Sequence, residues 1–148
     1  MTYFAYGSNM NEERMKERDI NFTSRQFAKL TGYVLAFNKK AKAGNYTFAN
    51  IKKSEIDCVE GILYEFPDND ILKLDKAEGY PYHYNKIEII VFDKDENPIK
   101  AITYIAQKDK VVEGLFPTTN YINHLLAGKD ILSNSYIEKL LNTQTLNL

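Results

Sequence analysis

The chain of 148 residues contains no tryptophan, one cysteine, four prolines and seven glycines, and neither sign of charge is in excess. A lone Cys58 cannot close an intrachain disulfide, and no Cys/His cluster has the spacing of a zinc site, so neither device is expected to hold the fold. Its neighbours Val59 and Gly61-Ile62-Leu63 put Cys58 on a strand, as a small apolar group rather than a nucleophile. Lys and Arg number 19 against 20 Asp and Glu, a formal charge of -1, which gives no bulk attraction to nucleic acid or anionic lipid. No basic leader followed by an apolar run opens the sequence, and no apolar stretch nears membrane-spanning length. A soluble, cytoplasmic protein without membrane or nucleic-acid partners is expected. The absence of GxGxxG and Walker sequences removes the usual nucleotide cradles, and no metal or other cofactor is expected.

With 44% hydrophobic and 26% charged residues the chain reads as ordinary globular material, suited to one domain over residues 1–148. Eleven Tyr and eight Phe supply surfaces that are apolar in body and, for Tyr, polar at the tip. The most informative stretch is Tyr3-Phe4-Ala5-Tyr6-Gly7-Ser8-Asn9-Met10. Its four apolar or aromatic residues form a short buried strand that Gly7-Ser8-Asn9 stops in a turn. Asn11 to Arg18 is a good helix former, with Asn9 or Asn11 to cap it and Glu12 and Glu13 in its first turn. Strand, glycine turn and helix start together make either a preformed cradle for an anion or carboxylate or an ordinary strand-to-helix turn.

Further along, Phe27 to Leu30 and Tyr33 to Phe37 are strand material interrupted by Gly32, and the lysine-rich residues 38 to 54 read as an exposed loop or a flap beside a site. Val59 to Phe66 is a strand, with Gly61 where another backbone approaches closely. Pro67-Asp68-Asn69-Asp70 offers caps for a helix over Ile71 to Glu78, ended by Gly79. Ile71, Leu74 and Ala77 or Glu78 share a face, so an acid stands near the inward side of the helix C-terminus, where the helix dipole favours a cation. Tyr80 to Tyr84 is an aromatic connector with an exposed His83; Ile87–Phe92 and Ile99–Ala106 pair as a hairpin. A short helix begins at Tyr121, and a last one spans Ser135 to Thr143 with a Ser135/Glu138 capping box. Strands dominate the middle and helices flank them without a repeating strand–helix rhythm, which gives an α+β class with a curled mixed or antiparallel sheet.

Tyr-Phe-Ala-Tyr-Gly-Ser-Asn-Met resembles the opening signature of the gamma-glutamylcyclotransferase-like family, which includes plant avirulence-induced proteins and gamma-glutamylamine cyclotransferases. Leu74-Asp75-Lys76-Ala77-Glu78-Gly79 matches that family's Leu-Asp-x-x-Glu-Gly, and ordered agreement continues through Ala49-Asn50-Ile51, Gly61-Ile62-Leu63-Tyr64, Tyr84 with Lys86, Tyr121, and Tyr136 with Leu140. Lys86 stands where arginine is usual and lacks its hydrogen-bonding fork. The resemblance implies a small barrel-like mixed sheet flanked by helices. It assigns the catalytic acid-base to Glu78 and places Tyr6, Gly7, Ser8 and Asn9 in the cradle for the substrate's glutamyl part. Asn50, Tyr84 and Tyr121 are its further substrate-binding candidates.

The implied reaction is intramolecular. The alpha-amine of an L-gamma-glutamyl group attacks its own side-chain amide, releasing 5-oxoproline and a free amine or amino acid. Glu78 takes the amine proton and returns it to the leaving nitrogen, a task suited to a carboxyl whose pKa is raised by burial beside Tyr80, Tyr82 or Tyr84. The Gly7-Ser8-Asn9 amides are candidates for the developing oxyanion or for the alpha-carboxylate. Hydrolysis of the same linkage to glutamate is a second enzymatic possibility. The different-class alternative is a non-catalytic binding or regulatory module for gamma-glutamyl or related small ligands, which an ion pair of Glu78 with Lys76 or Lys86, turned away from the cradle, would favour.

Overall fold

The computed structural model describes residues 1–146 and contains five strands and four α-helices among them. The strands are β1 (Thr2–Ala5), β2 (Ser24–Lys40), β3 (Thr47–Glu65), β4 (Tyr84–Phe92) and β5 (Pro98–Ala106); the helices are α1 (Glu12–Glu17), α2 (Ile71–Glu78), α3 (Thr119–Leu126) and α4 (Asn134–Leu141). The strands close a barrel in the order β1-β3-β2-β4-β5. β1 runs antiparallel to β3 and parallel to β5, with Tyr3 opposite Ile102, so the barrel is mixed. This is the barrel-like mixed sheet flanked by helices that the resemblance implied, and it fits the α+β class read from the residues.

The unbroken apolar run in β1 follows from burial on both faces. Side chains alternate along a strand: Tyr3 and Ala5 pack outward against the helices with Met10, Leu74 and Leu125, while Phe4 and Tyr6 join Leu30, Val59 and Leu63 in the second core. Gly61 is required at the crossing of β3 under β1, because a Cβ there would lie 2.4 Å from the Ala5 carbonyl oxygen and 2.7 Å from the Phe4 ring.

Several local expectations change. Residues 38 to 54 are not a loop or a flap: Asn38 to Lys40 finish β2 and Thr47 onwards belongs to β3, leaving only the short connection between them. Their adjacent lysines, Lys39-Lys40 and Lys52-Lys53, concealed the strands because consecutive charges break the alternation that marks a half-buried strand. Cys58 lies on β3 as expected but is exposed, not an apolar filler. α4 spans Asn134–Leu141, and its cap lies two residues before the expected box, with the Ser133 hydroxyl accepting from Tyr136 N–H. α1 is capped by Asn11, which accepts from Glu13 N–H, freeing Asn9 for another task. Asp70 caps nothing with its side chain and instead accepts from Asn21 N–H at 2.8 Å. No helix among the described residues is long and apolar enough to cross a membrane.

Candidate active site

Glu78 closes α2. Ile71 and Leu74 are buried on one face, and the same face continues to Glu78 rather than to the exposed Ala77. Gly79 ends the helix in the left-handed region at φ 66, with Tyr80 N–H bonded to the Asp75 carbonyl. A Cβ on Gly79 would also stand 2.7 Å from the His83 ring, so glycine permits both the turn and the packing of His83 against it.

The Gly7 turn meets Glu78 through one amide. Ser8–Met10 forms a 3₁₀ turn, with Met10 N–H on the Gly7 carbonyl at 3.0 Å. Asn9 is 2% exposed, and its Nδ2 donates to Glu78 Oε1 at 2.8 Å and to the Tyr3 hydroxyl at 2.9 Å. Its Oδ1 accepts from Arg18 Nη1, and its carbonyl accepts from the Tyr64 hydroxyl at 2.7 Å. Arg18 Nη1 also stands 3.9 Å from Glu78 Oε1. Burial pushes the Glu78 carboxyl above its ordinary range, while Arg18, the Asn9 hydrogen bond, Arg14 and Lys39 pull it back. The surrounding phenols of Tyr3, Tyr6, Tyr84, Tyr104 and Tyr121 are pushed up, chiefly by burial, and stay neutral.

Tyr84 and Tyr121 are held by a strand irregularity. The β2/β3 register slips between Ala36/Asn50 and Lys39/Phe48, so Ala49 has no partner on β2. Its carbonyl accepts from the Tyr84 hydroxyl at 2.8 Å and its N–H donates to the Tyr121 hydroxyl at 3.0 Å. The Tyr121 oxygen lies 3.1 Å from where a Cβ of Gly7 would stand, which brings α3 against the turn. Tyr6 donates to the Tyr104 carbonyl at 2.6 Å.

These residues enclose two connected spaces that share Ser8, Glu78, Tyr84 and Tyr121. The inner chamber, about 30 Å³, is walled by tyrosines and floored by Gly7, Ser8 and Asn9. The outer cavity, about 380 Å³, is lined by Arg14, Arg18, Lys39, Lys42 and Lys76, with Glu78 as its acid. Seven of the eight candidates, Tyr6, Gly7, Ser8, Asn9, Glu78, Tyr84 and Tyr121, are therefore brought together. Asn50 is not: it is 4% exposed, donates to Asn38 Oδ1 at 2.9 Å and accepts from Ala106 N–H at 2.9 Å, tying the slipped strand to the end of β5. Of the three tyrosines expected beside Glu78, Tyr84 lines the chamber with it while Tyr80 and Tyr82 are exposed; Tyr3, Tyr6 and Tyr121 line the same chamber. Glu78 forms no ion pair with Lys76 or Lys86 among the described residues; Lys86 holds Asp75 at 2.9 Å and Asp75 accepts from the Tyr104 hydroxyl at 2.7 Å.

The sequence model of the family described as "Gamma-glutamyl cyclotransferase, AIG2-like" matches residues 3–123, a span containing the turn, the slipped strand and Glu78. The chain belongs to this family. A gamma-glutamylcyclotransferase from Bos taurus is 30% identical over 107 residues, which cover 69% of this chain and 57% of the relative; the match thus spans little more than half of that protein. A solved structure titled gamma-glutamyl cyclotransferase superposes with a TM-score of 0.88 at 25% identity, covering 100% of this chain and 90% of the other. An uncharacterized protein from Homo sapiens also gives 0.88, at 26% identity, covering 99% and 89%.

In this gamma-glutamyl cyclotransferase family member, sequence reasoning missed the cationic wall. Arg14 and Arg18 are four residues apart on one helix face and were a readable signal, since both follow the Gly7 turn directly. Lys39 was hidden by the reading of its segment as a loop. His83, expected to be exposed, is partly buried with Nδ1 2.9 Å from Lys39 Nζ, and burial followed by the nearby Lys39 lowers its pKa.

Proposed function

We propose that the protein is a gamma-glutamyl cyclotransferase that forms 5-oxoproline, with Glu78 as its proton carrier. The observation that carries this reading is the Asn9 to Glu78 hydrogen bond of 2.8 Å, which fixes a carboxyl of raised pKa at the boundary between a neutral chamber and an open cavity. The alpha-amine of the glutamyl group attacks its side-chain carbonyl carbon, forming the C–N bond of the five-membered lactam. Glu78 accepts a proton from the attacking nitrogen and donates it to the departing nitrogen as the old C–N bond breaks, so the carboxylate is regenerated. Nucleophile and electrophile belong to one molecule, and holding the chain in the attacking pose supplies up to about 7–11 kcal/mol against a bimolecular reference. The raised pKa suits both halves of the transfer better than an ordinary surface carboxylate does. Asn9 and Arg18 orient the acid and keep it from remaining protonated.

The turn of Gly7, Ser8 and Asn9 forms the floor of the chamber, where a small polar end of the glutamyl group is received. An ion pair turning Glu78 away would have favoured a non-catalytic binder; instead the carboxyl is bonded to the turn itself. The test is 5-oxoproline release from a panel of L-gamma-glutamyl amino acids and amines by the wild type and by Glu78→Gln. Product formation that is lost in the variant while ligand binding persists supports the assignment; equal turnover by the variant removes Glu78 from the mechanism, and binding without product from any member of the panel leaves a binding module.

A further inference from the structure

Lys39 is a buried cation without a buried anion. Its side chain lies on β2 within a residue that is 3% exposed, and it lines the outer cavity. Nζ donates to the Lys40 carbonyl at 3.0 Å and lies 2.9 Å from His83 Nδ1, both neutral partners. The Phe48 and Tyr84 rings flank it at 5.9 and 5.7 Å from their centroids. Among the described residues its ammonium enters no ion pair; Glu78 acts on it only through space. Three donors belong to an ammonium and two neutral acceptors are supplied, which leaves one donor for the cavity. A cation largely withdrawn from water and without a counter-ion opposes folding, a cost that an anion entering the cavity would offset.

The surroundings sharpen the point. Lys42 and Lys76, both exposed, line the same cavity, as do Arg14 and Arg18, against the single acid Glu78. Arg18 is already engaged by Asn9 and Glu78, and Arg14 Nη1 lies 2.9 Å from His124 Nε2. The inner chamber of about 30 Å³ is far smaller than the outer cavity of about 380 Å³ and suits a small polar group. The departing amine, which must exit from a bond beside Glu78, therefore extends into the outer cavity, on the side where Lys39 waits.

We infer that Lys39 is a specificity-determining residue whose ammonium receives a carboxylate carried by the leaving amine, so that the preferred substrates are gamma-glutamyl amino acids or peptides rather than gamma-glutamyl derivatives of simple or cationic amines. This rests on the cyclotransferase reading above. It assigns to Lys39 a different anion from the glutamyl alpha-carboxylate, which every candidate substrate shares.

L-gamma-glutamyl-L-alanine and L-gamma-glutamylethylamine differ only by the leaving-group carboxylate and form the deciding pair. The wild type should favour the alanine compound in kcat/KM by about 10- to 100-fold, the worth of a hydrogen bond to a charged partner. Lys39→Met should collapse that ratio toward one, mainly through the alanine compound, and Lys39→Arg should restore most of it. A wild-type ratio near one overturns the inference, as does a Lys39→Met variant that depresses both substrates alike, because Lys39 would then serve the shared glutamyl part or the fold. Calorimetric binding of both compounds to Glu78→Gln protein, with and without Lys39→Met, repeats the comparison without turnover. An affinity difference that depends on Lys39, with no 5-oxoproline released from either compound by the wild type, would overturn the cyclotransferase reading alone; wild-type turnover without any such difference would overturn this inference alone.

Discussion

The two spaces that meet at Glu78 are built on opposite principles. The inner chamber is walled by neutral phenols: those of Tyr6, Tyr84 and Tyr121 are bonded to backbone, that of Tyr3 to Asn9 and that of Tyr104 to Asp75; its floor is a tight turn, and its shape depends on Gly7 approaching Tyr121. The outer cavity is cationic, and Lys42 and Lys76 on its wall are long, exposed side chains. A satisfied network of short side chains gives fixed geometry, whereas long charged chains give field and adaptability. The difference assigns chemistry to the inner wall and choice of leaving group to the outer one. It also separates two kinds of mutational effect: inner substitutions should act on turnover or on the fold, and outer ones on discrimination.

The largest expected effect breaks the boundary itself. Glu78→Gln keeps the size of the side chain but removes the proton carrier, and kcat should fall about 10²- to 10⁴-fold. Steady-state kinetics with 5-oxoproline detection checks this, and a loss below about tenfold would place the proton transfer elsewhere.

The next effect concerns pH. Protonated Glu78 cannot accept the amine proton, so kcat/KM should fall as pH drops through the raised Glu78 pKa, placing the acid limb above the ordinary Glu value of 4.5. Arg18 lowers that pKa, so Arg18→Gln should move the limb to higher pH, with about a tenfold loss on the acid side for each unit of displacement. A pH profile of kcat/KM for both proteins reads the displacement, and a shift to lower pH would contradict the electrostatic account.

Asn50→Ala sharpens the comparison from the fold's side. Asn50 joins Asn38 to Ala106 N–H outside both spaces, so its loss leaves buried groups unsatisfied and should cost about 1–3 kcal/mol of stability. Denaturant unfolding measures that cost, and the KM for a gamma-glutamyl amino acid should stay within about threefold of wild type. A large rise in KM with unchanged stability would return Asn50 to the binding surface.

The smallest effect has the opposite sign. A carboxyl whose native pKa is raised binds its proton more tightly folded than unfolded; stability from the protonated form is full below the unfolded pKa and is lost as pH rises through the native one. Glu78→Gln escapes that loss, and should melt about 2–4 °C above wild type at neutral pH, for a gain on the order of 1 kcal/mol. The difference should vanish as pH falls below the unfolded Glu range, which calorimetric melting at several pH values can follow.

Much of the inner wall was legible in the sequence because it is local. Tyr3 to Asn9 encodes strand, turn and floor within one segment, and α2 carries Glu78 inward on the face set by Ile71 and Leu74. What joins them was less legible. Asn9 could be read as a helix cap, and only the barrel brings it to Glu78, 69 positions away. The slip between β2 and β3 left no mark in the sequence beyond a polar stretch, so the seat of Tyr84 and Tyr121 on Ala49 and the withdrawal of Asn50 from the cavity could not be read. Lys39 was concealed for the same reason: a lysine in a lysine-rich segment reads as solvated until the closing of the barrel buries it.

The most direct test of the central claim is the product formed from L-gamma-glutamyl-L-alanine in water enriched in ¹⁸O. Intramolecular cyclisation with Glu78 as proton carrier predicts 5-oxoproline and alanine in equal amounts, no solvent oxygen in either at release, and loss of both products in Glu78→Gln. Free glutamate carrying one solvent oxygen in its side-chain carboxylate would show that water attacks instead, and would contradict the account.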